Sequence, residues 1–229
     1  ALGCYRYRDE AIRTVVPEFG PGWRAKIVLP PLDERARVNV FRVVSQSPSG
    51  ETRSARIPLD AYLQIVAASN MKQRARKLTE YFHAERHHYA VAGTPNRLEY
   101  DQGFFVKGGD GLADVKPIAH LYKTQVYALA EALGVPEPIR RRSPTTDTYS
   151  MPQTQEEFYF ALPYDKMDLC LWARNHGVPA AEAAPAVGLS PAQVELVYRD
   201  IESKRRTTRY LHLPPLLVEP VPELRRSEG

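Results

Sequence analysis

The sequence predicts an α/β domain that passes into a helical C-terminal part, with a β-hairpin near the N-terminus. Three observations carry this expectation. Val38 to Val44 and Thr52 to Ile57 flank Pro48-Ser49-Gly50, so two strand-like runs meet at a turn. Residues 59–150 alternate helical periodicity with a short apolar run, Tyr89-Ala90-Val91-Ala92-Gly93. Residues 151–229 are mostly helical in spacing.

Residues 1–58 read as irregular apart from the hairpin at 38–57, because Pro17, Pro21, Pro30 and Pro31 break up the apolar runs. The hairpin is either an edge decoration or a segment for dimer contact. Pro58 suits a helix start, and Leu59, Leu63, Val66, Ala67 and Asn70 share a face of a helix running to His83. Tyr89 to Ala92 reads as a short buried strand ending in a loop. A second helix, Tyr122 to Leu133, carries Val126, Leu129, Ala130 and Leu133 on one side and is stopped by Gly134 and Pro136. Asp165 can cap a helix bearing Met167, Leu171 and Trp172. Ser190-Pro191-Ala192-Gln193 is a capping box with proline at the first helical position. The tail, 211–229, is rich in proline and reads as extended. The chemistry belongs to 59–210.

Composition narrows the function classes. With 43% hydrophobic and 25% charged residues in 229, the chain has material for an ordinary core. The net charge of +4 suits a phosphate-bearing small molecule as well as a nucleic acid. Two cysteines, Cys4 and Cys170, form no metal or disulfide pattern, so a reducing, cytoplasmic setting is expected. No apolar stretch is long enough to span a membrane. A stretch over Pro179–Arg206 has a helix-turn-helix texture, but Gln193, Glu195 and Asp200 on its outer face would repel phosphates, so no nucleic-acid partner is expected. His83, His87 and His88 lie at a helix end with no second ligand cluster, which argues against zinc.

Three polar clusters carry the candidate chemistry. Gly93-Thr94-Pro95-Asn96-Arg97-Leu98-Glu99 follows the predicted strand, and loops at strand carboxyl ends bind ligands in open α/β sheets. Thr94 and Glu99 could hold a phosphate and a hard divalent cation; equally, Glu99 could be a first-turn glutamate favoured by the helix dipole. Lys107-Gly108-Gly109-Asp110-Gly111-Leu112-Ala113-Asp114 sets one cation and two anions around a glycine turn. An Asx-turn explains Asp110-Gly111 but not Lys107 with Asp114. The third cluster places Lys123 and Thr124 in the first turn of a helix. A lysine there opposes the macrodipole unless it meets an anion, such as a phosphate, or is simply solvated. Asn70 and Arg74, four apart, share a helix face.

Taken together, Asn70–Arg76, Gly93–Glu99, Phe104–Gln125 and Pro144–Asp147 resemble, in order and spacing, the ammonia-dependent synthetase domain of NAD synthetases over residues 66–210. The resemblance implies a Rossmann-like parallel sheet flanked by helices (adenine nucleotide alpha hydrolase-like), usually as a homodimer. It implies ATP-dependent adenylation of the nicotinate carboxylate of deamido-NAD, followed by displacement of AMP by ammonia. On this resemblance Thr94, Lys123 and Thr145 correspond to ATP-binding positions and Glu99 to a magnesium (Mg2+) ligand. Arg74, Lys107, Asp114 and Lys204 correspond to contacts with deamido-NAD.

The sequence also departs from that family. Ser203 stands where histidine is usual before Lys204-Arg205, and Gln155 stands where aspartate is common. The Ser-Gly-Gly-x-Asp-Ser loop that holds pyrophosphate is not found, so residues 1–229 are expected to be the downstream portion of a longer enzyme, binding nucleotide weakly by themselves. A related ligase for another carboxylate, or a non-catalytic nucleotide-binding module, stays open. No glutaminase nucleophile is evident, so ammonia is either free or delivered by a separate glutaminase domain or subunit.

Overall fold

The computed structural model describes residues 2–28, 41–145, 149–160 and 162–222. Its N-terminal body joins a helix to an antiparallel sheet. Helix α1 (Cys4–Arg13) turns Ala11 and Ile12 inward. Strands β1 (Arg24–Val28), β2 (Arg42–Gln46) and β3 (Thr52–Arg56) form one sheet in the order β1-β2-β3. Ile27 pairs with Val43, and Val43 with Ala55, in antiparallel register. The hairpin is therefore present, though its first residues, 38–40, lie outside the described residues. Its turn closes through Gly50 N–H donating to Ser47 at 2.9 Å, with Gly50 at a φ of 89°.

Two elements here correct the irregular reading of 1–58. Both are short, and α1 buries only two residues, which leaves little periodicity to detect. In β1 the alternation is present, with Ala25 and Ile27 buried and their neighbours not.

Helix α2 (Leu59–His87) is longer than its sequence pattern indicated and ends with His88 in the left-handed region at φ 55°. Its buried face also differs from the expected one. Ala61, Ile65 and Ala68 point inward, whereas Leu59 and Leu63 are exposed. A helix start with apolar residues on several sides fixes no face by periodicity alone; close packing against α1 favours the side carrying small alanines. The core of this body also holds Val16, Phe19 and Ile57.

The parallel pairing expected at 89–92 is reduced to one bridge, Ala92 with Val115. Around it, Gly93 N–H donates to Val115 at 2.7 Å and Asp114 N–H to Val91 at 2.9 Å. Among the described residues the sheet proper is antiparallel, so the architecture is α/β and helix-rich. Helix α3 (Arg97–Gln102) follows, then α4 (Lys123–Ala132) and the short α5 (Glu137–Arg140). Helix α4 lies where expected, but it buries no residue: Leu129 and Leu133 of its predicted inner side are exposed.

A π-helical turn (Glu156–Phe160) leads into α6 (Tyr164–Asn175), α7 (Ala180–Val187) and α8 (Pro191–Thr208), then a 3-10 turn (Arg209–Leu211). Phe160, Met167, Cys170, Leu171, Val194 and Ile201 form a second core, joined by Leu98 of α3. The Ser190 capping box is present, with Gln193 N–H donating to Ser190 Oγ at 3.2 Å. Asp165 sits in the first turn of α6, but Pro163 is the cap residue. Trp172 lies outside the core and stacks on His176 at 4.1 Å. No helix among the described residues is long and apolar enough to cross a membrane.

Within the helical body α3 and α8 approach closely at Gly103, which ends α3 at a φ of 72°. A Cβ there would lie 2.3 Å from Thr208 Cβ. Gly103→Ala combines positive φ with a clash, so it should cost about 2–4 kcal/mol in a urea titration. Thr208→Ala in the same background removes Oγ1 and Cγ2 but keeps the Cβ at 2.3 Å, so it should recover little of that loss.

Candidate functional site

Between the two cores lies a cleft of about 960 Å³, large enough for a nucleotide-sized ligand. Helix α2 forms one side of it with a single stripe, Tyr62, Val66, Asn70, Gln73 and Arg76, at helical spacing. The loop after the Ala92 bridge adds Thr94 and Glu99. Tyr159, Asp200 and Lys204 close it from the helical body, and Thr145 lies on its rim.

Glu99 is placed by local sequence. Asn96 is the N-cap of α3, and its Oδ1 accepts from Glu99 N–H at 3.2 Å, while Glu99 Oε2 accepts from Asn96 N–H at 2.9 Å. This reciprocal box fixes the carboxylate at the mouth of the loop. Burial pushes its pKa up, against the Asn96 N–H, the Lys123 charge and a hydrogen bond from Gln155, all of which favour the anion. Gln155 also accepts from the Tyr164 hydroxyl at 2.6 Å. Glutamine can donate to Glu99 while accepting from Tyr164, which aspartate cannot do when ionised.

Lys123 opens α4, and Asp168 of α6 supplies an anion at that helix end. Asp168 accepts from Lys123 N–H at 3.2 Å, Thr124 N–H at 2.7 Å and Thr124 Oγ1 at 2.8 Å. Asp168 is 5% exposed, and burial raises its pKa against those three bonds. With its backbone held, the Lys123 ammonium lies over the rings of Tyr127 and Tyr164, each at 5.4 Å, and within electrostatic reach of Glu99. Neither Asp168 nor Gln155 stood out in the sequence as a site residue.

The remaining candidates occupy different places. Lys204 Nζ reaches the cleft between Asp200 Oδ2 at 2.6 Å and the Tyr159 carbonyl at 2.7 Å, so Asp200 faces the cleft rather than an outer surface. Arg74 does not line the cleft; its Nε donates to the Lys107 carbonyl at 3.1 Å. Lys107 Nζ donates to the carbonyls of Tyr210 and Leu213, both at 3.0 Å, so the C-terminal turn holds it. Asp114 accepts from Val91 N–H at 2.7 Å and from the Tyr81 hydroxyl at 3.2 Å. Arg74, Lys107 and Asp114 thus do not line the cleft, while Thr94, Glu99, Thr145 and Lys204 do.

A desolvated carboxylate on the cleft wall, with an ammonium in electrostatic reach, sets the class: an α/β protein with a cleft suited to a small polar ligand. A sequence model of the NAD synthase family matches residues 38–210. An NH3-dependent NAD+ synthetase from Rhizobium meliloti is 62% identical over 224 residues, covering 98% of this chain and 67% of that protein. In structure, NMN synthetase from Francisella tularensis is similar at a TM-score of 0.54 and 25% identity, over 67% of this chain and 56% of that one. An NH3-dependent NAD synthetase from Campylobacter jejuni shares the fold at a TM-score of 0.50 and 22% identity, over 70% of this chain and 62% of that one. The chain belongs to the NAD synthase family.

Asp168→Ala should leave two N–H groups of α4 unpaired and cost about 1–3 kcal/mol in chemical denaturation. Asp168→Asn, which keeps an acceptor, should recover much of that loss.

Proposed function

We propose that this protein uses ATP to convert deamido-NAD to NAD. Family membership makes it a carbon–nitrogen ligase, and relatives named for ammonia-dependent NAD synthesis support this substrate pair over a requirement for glutamine. The observation that carries the reading is Glu99, a partly buried carboxylate with raised pKa, held beside Lys123 at the end of the strand-end loop.

The chemistry has two steps. A nicotinate carboxylate oxygen attacks the α-phosphorus of ATP, and pyrophosphate leaves, giving an acyl-adenylate. Ammonia then attacks the acyl carbon; AMP leaves, and a proton is lost from nitrogen. A carboxylate is a poor electrophile and an acyl-adenylate a good one, so the protein's work is positioning and charge neutralisation. In this reading Thr94 and Thr145 donate hydroxyl hydrogen bonds to ATP, and Lys123 neutralises phosphate charge. Lys204, Arg74, Lys107 and Asp114 orient deamido-NAD.

Magnesium fits the donors present. Among the described residues no cluster of three metal-ligating side chains occurs, and this ion commonly binds through one or two carboxylates plus substrate phosphates. Glu99 would hold it, and the ion would supply Lewis-acid polarisation of the phosphates. The Ala92–Val115 pairing supports a Rossmann-like parallel arrangement. Exposed Leu59, Leu63, Leu78 and Phe82 along α2 support a homodimer, and the two free thiols accord with a cytoplasmic setting.

Glu99→Gln should abolish AMP release at saturating ATP, with magnesium titrated, while leaving the unfolding midpoint nearly unchanged; wild-type metal dependence in this variant would refute the role. Because burial raises the Glu99 pKa, protons compete with the cation at higher pH than at an exposed glutamate. The apparent magnesium requirement should therefore climb as pH falls through the acidic range. Lys107→Ala should raise the KM for deamido-NAD about ten- to hundred-fold and that for ATP much less. Equal effects on both would assign Lys107 to the fold.

A further inference from the structure

The cleft has an aromatic end that the loop after the Ala92 bridge does not supply. Phe41, just before β2, stacks on Tyr62 of α2 with ring centroids 3.7 Å apart and planes 11° from parallel. Both rings are half-buried, and both line the cleft. Tyr149 stands with them and meets Phe158 at 5.7 Å, continuing the wall toward the helical body. Both rings pack against the N-terminal core on one side. Here the pair borders open volume, and among the described residues the Tyr62 hydroxyl has no hydrogen-bond partner.

The α2 stripe gives this end a direction. From Tyr62 it passes Asn70 and Gln73 to Arg76, a span of about 21 Å at the helical rise per residue. An aromatic shelf, two amides and a cation in that order match a ring, then hydroxyl-bearing sugar, then phosphate. The span exceeds what one nucleoside phosphate needs and suits a dinucleotide.

Resting on the function proposed above, we infer that Phe41 and Tyr62 form a stacking subsite for a heteroaromatic ring of the dinucleotide acid, making the N-terminal antiparallel sheet a specificity element. Phe41 is delivered by the strand pairing of β2 with β1 and β3, so the hairpin bears on substrate choice as well as on packing. The phenol ring is the working part of Tyr62, since every base offers a π-face.

Titration calorimetry with deamido-NAD alone and with ATP alone tests this on the full-length protein. Tyr62→Leu and Phe41→Leu keep apolar bulk but remove the flat face; each should weaken deamido-NAD binding about tenfold and leave ATP binding unchanged. Tyr62→Phe should bind deamido-NAD like the wild type, and urea titrations show that the leucine variants are folded. Wild-type deamido-NAD affinity in both leucine variants, or an equal loss for ATP, overturns the subsite and leaves the proposed function standing. Failure of the wild type itself to bind deamido-NAD overturns the function and the subsite together.

Discussion

A buried carboxylate holds the working half of this molecule in register. Asp168 of α6 accepts three hydrogen bonds from the first two residues of α4, across 44 and 45 residues of sequence. It supplies the anion that the helix end calls for, and it fixes the point from which Lys123 projects. Glu99 gains its electrostatic partner only because α4 starts there. The cost is a desolvated carboxylate whose pKa is raised, which the three donors offset in part.

Around that tie the chain builds two cores rather than one. The helical core of α6 to α8 carries the Asp168 anchor, Asp200 and Lys204; the helix-and-sheet core carries α2 and the aromatic pair. The cleft lies between them, so a ligand is read by residues from both. Close approach at Gly103 and Thr208 sets how near the C-terminal turn comes to Lys107, since α8 runs directly into that turn.

What the sequence made legible was local. The Ser190 box, the two helices starting after Pro58 and Tyr122, and the hairpin turn each depend on residues within a few positions of one another. The polar clusters were visible for the same reason, and Thr94, Glu99, Thr145 and Lys204 do converge on one cleft. What stayed hidden depended on distant partners. Asp168 looked like one more acidic residue on a helix, and Gln155 like a mere departure from a pattern. That Lys107 is held by carbonyls more than 100 residues away has no signature in its own neighbourhood. The buried face of α2 escaped because alanine gives a weak hydrophobic signal even where tight packing selects it. The expected parallel pairing, which depends on remote segments, appears among the described residues as a single bridge.

The central claim is that one cleft couples ATP cleavage to amide formation on an acid dinucleotide. Mass spectrometry of the products from isotopically labelled ammonium, ATP and deamido-NAD, with AMP quantified in parallel, tests it most directly. The account predicts label in the carboxamide of NAD, one amide formed for each AMP, and no AMP when deamido-NAD is left out. AMP released at the same rate without the acid, or acid consumed with no label entering an amide, would contradict it.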